Sequence, residues 1–247
     1  KRATDALKNH RAQLETLVDR RTADLRRALE AGVSARREAH EAHLDTIRRL
    51  VRAAEYKDLG TGAHIDRIGR YSELVAEALG MTPREIEIIR HAAPMHDVGK
   101  IGVPDSILLK EGPLTVDEWA VMRQHTVIGA EILKGSPSEI LQTGARIALS
   151  HHERWDGEGY PRGTAGQGIP VEARICAVVD VFDALTSNRR YRPRGSLPNE
   201  EVYDMLTAGR GKSFDPEVLD AFLGCRGAVE EIQGLFRDPA NGEGGES

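Results

Sequence analysis

The stretch VEARICAVVDVFDALTS, residues 171–187, decides the fold class of this 247-residue chain. It is apolar and has no internal glycine or proline, so it forms either a buried strand or a buried helix. Its length favours the helix, because strands in globular proteins are shorter. The flanking segments place apolar residues at helical spacing, and the chain shows neither a confident strand alternation nor an internal repeat. The sequence therefore predicts an all-α helical bundle.

Local signals mark the helix boundaries upstream of this stretch. A helix opened by His64 is expected to end at Gly80, and the next is expected to begin at Thr82, with Pro83 in its first turn and Glu85 in capping-box register. Pro94 should kink that second helix.

Downstream, residues 99–113 look like a loop. Thr115 is expected to cap a helix that carries His125, and residues 138–150 predict a helix that leads into His151. From about residue 199, two short helices are expected around Phe214-Asp215-Pro216.

Residues 1–45 differ in character from the rest. Leu7, Leu14, Val18 and Leu25 follow a 7-4-7 spacing that is typical of a heptad seam, although arginines interrupt it. We expect a parallel coiled-coil homodimer here; the alternative is a single amphipathic helix packed on its own domain. Residues 46–236 are expected to form the main domain, and residues 237–247 a disordered tail.

Composition excludes several classes of protein. The formal charge of −5 gives no bulk basic surface for nucleic acid. No apolar run approaches the length that spans a bilayer, and the charged start has no apolar signal segment. Because the chain also starts without methionine, we expect a fragment of a longer protein. We expect it to lie in the cytoplasm; the alternative is a parent protein that is anchored in a membrane. The two cysteines lack a CxxC pattern and are expected to be free thiols.

The stretch HHERWDGEGYP, residues 151–161, points to chemistry. Single histidines are most often structural, but five of them lie at the ends or turns of separate predicted helices, together with two aspartates. This set is His64, His96, Asp97, His125, His151, His152 and Asp180. Asp180 lies in the apolar run, where a lone carboxylate is costly and a cation relieves that cost. Nitrogen and oxygen ligands suit iron, manganese or a similar divalent ion. Seven ligands predict two metals, with Asp97 as the bridge.

The order H…HD…D resembles the HD superfamily of metal-dependent phosphohydrolases, and the fuller pattern resembles the HD-GYP family. The matching segments are HDVGKIGVPD at 96–105, His125, HHERWDGEGYP at 151–161 and DVFDALTSNRRYR at 180–192. The resemblance covers about residues 45–225. It implies a helical bundle around a bi- or trinuclear metal site. It also implies hydrolysis of cyclic di-GMP to linear pGpG and, in some members, on to GMP.

The resemblance also implies residue roles. The seven residues above become the metal ligands, and Lys100 becomes the cation near the scissile phosphate. Tyr160, flanked by Gly159 and Pro161, becomes a substrate contact. Arg189 and Arg192 become candidates for guanine or phosphate contact.

Two positions depart from the family pattern. Three-metal members carry a glutamate four residues before the first histidine, where this chain has Gly60, so two metals are expected. Arg190 stands where proline is frequent, which leaves the role of Arg192 open.

The stretch RAQLETLVDRRTADL, at residues 11–25, resembles the signalling helix that follows receiver or sensor domains in bacterial signalling proteins. Three alternatives to a cyclic di-GMP phosphodiesterase stay open: a catalytically silent cyclic di-GMP receptor, a phosphohydrolase of another nucleotide, and a structural module whose histidines only pack.

Overall fold

The computed structural model describes residues 2–58, 62–187 and 196–237, and within these ranges the chain is helical and contains no β-strand. The helices in chain order are α1 (Arg2–Glu55), α2 (Gly62–Ala78), α3 (Pro83–Ala92), α4 (Asp105–Leu108), α5 (Val116–Met122), α6 (His125–Leu133), α7 (Glu139–Ser150), α8 (Val171–Thr186), α9 (Asn199–Ala208), α10 (Pro216–Gly224) and α11 (Arg226–Leu235). Short 3₁₀ segments lie at Tyr56–Asp58, Ala93–Met95, Val98–Gly102 and Gly166–Gly168. The predicted all-α fold class is confirmed.

The chain divides into two compact units, residues 1–48 and 49–247. The first unit is helical along residues 2–48 and exposes a stripe of apolar side chains between 48% and 71%: Leu7, Leu14, Val18, Leu25 and Leu29. Along the described residues, no helix combines the length and the apolar character required to cross a bilayer.

Helix α8 is the centre of the second unit, and it packs against α2, α7, α9 and α10. The buried ring of Phe182 lies 5.8 Å from Tyr71, 5.3 Å from Tyr203 and 5.1 Å from Phe222, measured between ring centroids. Because aromatic side chains bury large apolar areas, this cluster joins four helices into one core. The uninterrupted apolar run is therefore the core helix that its length predicts.

The predicted helix starts are confirmed at two positions. The hydroxyls of Thr82 and Thr115 accept from the backbone N–H of Glu85 and Glu118, and each glutamate accepts from the backbone N–H of its threonine. These are capping boxes, which satisfy otherwise unpaired donors at a helix N-terminus. Gly80, with φ +72°, follows the end of α2 in the left-handed region that glycine favours.

The predicted interruption by Pro94 is also confirmed: α3 ends at Ala92, and Pro94 lies in the following 3₁₀ segment. Two boundary predictions downstream are wrong. The presumed loop at 99–113 contains part of the 3₁₀ segment Val98–Gly102 and all of α4. The C-terminal region has three helices, α9 to α11, instead of two.

The helix expected to carry His125 is split in two. Helix α5 ends at Met122, and His125 begins α6. Nδ1 of His125 lies 2.8 Å from the carbonyl oxygen of Met122, and the hydroxyl of Thr126 donates to the carbonyl of Arg123 at 3.0 Å. These side chains form hydrogen bonds with carbonyl groups that would accept from backbone N–H groups in a continuous helix, so the helix is interrupted at this point.

Gly99 allows the segment that carries His96 and Asp97 to lie directly on α6. A Cβ atom at Gly99 would stand 1.9 Å from the carbonyl oxygen of His125 and 2.4 Å from the backbone nitrogen of Gly129. Only a residue without a side chain fits this contact. Gly99 therefore sets the distance between two of the predicted ligand segments.

We predict that Gly99→Ala lowers the free energy of unfolding by about 1–3 kcal/mol, because the methyl group would push backbone apart. Urea denaturation followed by circular dichroism measures the change. The control is Gly227→Ala in α11, where the added Cβ has no atom within 4 Å. That substitution should be neutral or stabilising by up to about 1 kcal/mol. Equal stability of Gly99→Ala and wild type would contradict the tight packing.

Candidate metal centre

Three buried histidines are oriented by the helix turns that carry them. In each, Nδ1 lies against a backbone carbonyl oxygen three or four residues earlier, so the ring turns Nε2 away from its own segment. The pairs are His96 with Ala93 at 3.0 Å, His125 with Met122 at 2.8 Å, and His151 with Ala148 at 3.0 Å. A hydrogen bond of this kind fixes the tautomer and the ring plane of a metal-ligating histidine.

A buried carboxylate orients a fourth histidine. Nδ1 of His64, at the start of α2, lies 2.7 Å from Oδ2 of Asp183 in α8. Arg67 donates to both carboxylate oxygens of Asp183, and Ser187 donates at 3.2 Å. Burial raises the pKa of Asp183, but His64 and Arg67 outweigh it and lower that pKa to about 2. Asp183 is therefore an anion at neutral pH and makes His64 a better electron-pair donor.

The seven predicted ligands come together in two groups. Within each group, one potential ligand atom per residue lies within 4.8 Å of the others. The first group is His64, His96 and Asp180, and the second is Asp97, His125, His151 and His152.

Asp97 connects the two groups. Its Oδ1 atom lies 3.4 Å from Nε2 of His125 and 3.7 Å from Nε2 of His151, while its Oδ2 atom lies 3.3 Å from Nε2 of His96. Nε2 of His96 also lies 3.5 Å from Oδ1 of Asp180. Asp97 is thus the carboxylate whose two oxygens face different groups.

Two atoms at this junction are buried and lack a hydrogen-bond partner among the described residues. They are Nε2 of His96 and Oδ1 of Asp97. A buried polar atom left unpaired costs free energy, and a bound cation removes that cost. The neutral imidazoles and the carboxylates are also the donor types that divalent ions bind, so these residues fit a metal centre.

The electrostatics of the site suit cation binding. Burial lowers the pKa of His125 and lowers that of His152 to about 2, so both rings stay neutral at neutral pH. Burial raises the pKa of Asp97, but Lys100 and His96 outweigh it and hold that pKa well below its usual range. Burial lowers the pKa of His96, but Asp97 and Asp180 outweigh it and raise that pKa well above its usual value, so a metal ion that binds His96 displaces its proton. Neutral imidazole and ionised carboxylate are the forms that bind metals.

Lys100 lies beside the candidate bridge. Its ammonium group donates to Oδ2 of Asp58 at 2.5 Å and lies 2.8 Å from Oδ2 of Asp97. Burial lowers the pKa of Lys100, but Asp97, Asp58 and Glu55 outweigh it and raise that pKa above its usual value. Lys100 is therefore a fixed positive charge at the edge of the second group.

The loop after His152 packs against the second group. The ring of Tyr160 stacks on the ring of His152, with centroids 4.7 Å apart, and the Tyr160–Pro161 peptide is cis. A Cβ at Gly159 would stand 2.6 Å from the carbonyl oxygen of His152, so glycine is required for this close return of the chain. The predicted contacts Gly159, Tyr160 and Pro161 thus lie in one loop beside His152, one of the predicted ligands.

Four positions singled out in the sequence, Gly60, Arg189, Arg190 and Arg192, lie outside the described residues, as do residues 238–247 of the predicted tail. Their predicted roles stay predictions.

Sequence reasoning missed the residues that support this site. Asp183 carries the same signal as Asp180, an acid within an apolar run, but no role was assigned to it. Glu153 is buried and accepts from the backbone N–H groups of Arg162 and Thr164 at 2.8 and 3.0 Å, which closes the loop. Nothing in the sequence distinguishes Glu153 from a solvated loop acid.

Comparison with known proteins places these features in a family. The model of the HD domain family matches residues 40–218. The chain is 48% identical, over 89% of its length, to the cyclic di-GMP phosphodiesterase response regulator RpfG of Xanthomonas campestris pv. campestris. It is 46% identical, over 75% of its length, to a cyclic di-GMP phosphodiesterase of Thermotoga maritima. These matches span 57% and 50% of the two relatives, so the chain spans about half the length of the curated relatives it matches.

A solved structure shares the fold. A cyclic GMP-AMP specific phosphodiesterase from V. cholerae superposes with a TM-score of 0.58 at 16% identity, covering 78% of this chain and 51% of that one. At this level of identity the likeness concerns the helical fold alone.

We predict that Asp183→Asn weakens Mn²⁺ binding about 10- to 100-fold, because His64 loses the anion that orients it and raises its basicity. Titration calorimetry of the metal-free protein measures the affinity. The matched control is Ser187→Ala, which removes a hydrogen bond to the same carboxylate but leaves its contact with His64. An unchanged affinity in Asp183→Asn would show that Asp183 serves only to neutralise Arg67.

Proposed function

The chain belongs to the HD domain family, and on that premise we propose that it hydrolyses the second messenger cyclic di-GMP with two divalent metal ions, either stopping at linear pGpG or continuing to GMP. The observation that carries this proposal is the meeting of two ligand groups at Asp97, whose buried Oδ1 atom lacks a hydrogen-bond partner among the described residues. The printed activities of the two curated relatives support the choice of substrate.

In this proposal, His64, His96 and Asp180 would hold one ion, His125, His151 and His152 would hold the other, and Asp97 would be the predicted bridging carboxylate. A donor set of nitrogen and oxygen atoms favours iron or manganese. Two such ions, when bound, supply Lewis acidity and an activated water to a phosphodiester. Gly60, which has no side chain to ligate, supports two ions over three.

The surrounding side chains have separate tasks. Lys100, charged and held beside Asp97, stabilises negative charge on the scissile phosphate in the transition state. Tyr160, with Gly159 and Pro161, forms a wall of the substrate site next to His152. Arg189 and Arg192 remain proposed contacts for guanine or phosphate, because a guanidinium fits both kinds of group.

We also propose that residues 1–45 form a coiled-coil linker that pairs two copies of the chain. The support is the exposed apolar stripe. Leucines that face water on a single helix favour pairing with a second helix, because pairing removes their apolar surface from water. The linker would connect an upstream receiver or sensor domain to the domain at 46–236, which ends before the tail at 237–247. The cytoplasm is the proposed location, and neither nucleic acid nor membrane is a proposed partner of this chain.

Turnover of cyclic di-GMP in the presence of Mn²⁺ or Fe²⁺ tests the proposed activity. We expect Lys100→Met to lower kcat about 100- to 1,000-fold while the metal content stays the same, because the lost charge acts on the transition state. The control is Lys134→Met, since Lys134 is 68% exposed and pairs only with Glu131 among the described residues. Product analysis by liquid chromatography separates pGpG from GMP.

The other outcomes separate the rival functions. Binding without turnover under every metal would indicate a silent receptor. Faster turnover of a mixed guanine–adenine cyclic dinucleotide or of a mononucleotide would indicate another phosphohydrolase. Substoichiometric metal in reconstituted protein, measured by mass spectrometry, would favour a structural module. Asp97→Ala should lose both metal and activity, and retained activity would refute its bridging role.

The dimer has its own test. We expect Leu14→Glu combined with Leu25→Glu to convert a dimer into a monomer in sedimentation velocity, because the charges would be buried in the seam. The control carries the same number of glutamates at Asn9 and Ala23, on the opposite face of the helix. A wild type that sediments as a monomer would overturn the pairing.

A further inference from the structure

Arg123 is an exposed arginine placed at the candidate centre by the break between α5 and α6. It is the residue that follows α5, and it lies two positions before the ligand His125. Sequence reasoning gave it no role. Its position follows from the same turn that brings His125 to the start of a new helix.

The guanidinium of Arg123 lies over the ring of Tyr160, with its central carbon 4.9 Å from the ring centroid. The same ring stacks on His152 at 4.7 Å. Arg123, Tyr160 and His152 therefore form a continuous row that ends in the second ligand group. A cation over an aromatic face is attracted by the negative face of the ring, so the charge is positioned in advance.

The charge of Arg123 is also not neutralised within the described part of the chain. The structure gives its guanidinium this ring contact but no ion pair with a described carboxylate, whereas Arg154, in the loop that carries Tyr160, is paired with Asp156 at 2.6 Å. Burial raises the pKa of the Tyr160 phenol and Asp97 adds to that effect, while Arg123 and Lys100 oppose it. The phenol thus lies within electrostatic reach of Arg123 and of the candidate bridging carboxylate.

We infer that Arg123 binds the second phosphodiester of a cyclic dinucleotide, the one that is not being cleaved. The inference rests on the proposed function. A cyclic dinucleotide carries two anionic phosphodiesters, and the scissile one faces the metal ions and Lys100. The other needs a cation at the wall of the site, and a guanidinium binds a phosphate through two parallel hydrogen bonds. Tyr160 is then the platform that holds Arg123 in place.

The experiment compares two substrates on the manganese-loaded protein. Cyclic di-GMP has two phosphodiesters, and bis(p-nitrophenyl) phosphate has only one. We expect Arg123→Gln to raise KM for cyclic di-GMP about tenfold or more. The ratio of kcat/KM for cyclic di-GMP to kcat/KM for the small diester should fall by a similar factor. Arg123→Lys, which keeps the charge but not the fork, should change the ratio about threefold.

The control is Arg20→Gln, which removes the same charge from an exposed position of α1 and should leave the ratio at the wild-type value. A wild-type ratio in Arg123→Gln would overturn the inference. So would an equal fall of both activities, because Arg123 would then support the metal centre and not the substrate.

Failure of the proposed function has a different signature. If wild type binds cyclic di-GMP without hydrolysing it, the enzyme proposal fails, and the inference is decided by calorimetry: Arg123→Gln should then raise the Kd about tenfold. If wild type cleaves the small diester but does not bind cyclic di-GMP, both fail.

Discussion

The burial of the Asp97 carboxylate among imidazole rings is the constraint on which the centre depends. An ionised carboxylate in a protein interior needs compensating charge. Here Lys100 lies 2.8 Å from one oxygen, while the other oxygen faces His125 and His151 and has no hydrogen bond within the described chain. The fold therefore supplies part of the compensation and leaves the rest for a cation. Asp58 limits how far Lys100 can move towards Asp97, because it accepts from the same ammonium group at 2.5 Å.

The orientation of the predicted ligand side chains follows from local backbone hydrogen bonding. Three rings are fixed by carbonyl oxygens of the preceding turn, which is possible because His96, His125 and His151 each stand at the end or beginning of a helical segment. At such boundaries carbonyl groups leave the continuous helical ladder and can accept from a side chain, as the Ala93 carbonyl does beside the backbone N–H of His96. His64 is different, since it lies inside the first turn of α2 and needs the side chain of Asp183 instead. Helix ends thus orient part of the site, and a buried ion pair orients the remainder.

The sequence predicts more of the ligand set than of its supports. Periodicity and length predict α8, and capping boxes predict the starts of α3 and α5. Five histidines at the ends or turns of separate helices, with Asp97 beside His96 and Asp180 in the apolar run, predict the seven residues that meet in the two groups. An acid at the position of Asp180 does not by itself indicate a metal, however. A carboxylate in an apolar run needs its buried charge balanced, but the balancing group can be a side chain as well as a metal ion. The side chain of Asp183 is only 1% exposed, and its charge is balanced by Arg67 and His64. The break before His125 was missed because it depends on side chains that bond to their own backbone, which no apolar pattern encodes.

The glycines of the two motif segments have a physical reason that follows from these contacts. Gly99 lies against the carbonyl of the very residue, His125, whose ring faces Asp97, so the separation of the two ligands is set by backbone touching backbone. Gly159 lies against the backbone of 152–154 and returns Tyr160 to the ring of His152. Backbone contacts have no rotamers, and they therefore hold a separation more rigidly than side chains do. Gly99 thus sets how closely two of the predicted ligand segments approach each other. Gly159 sets how closely the proposed substrate wall approaches His152.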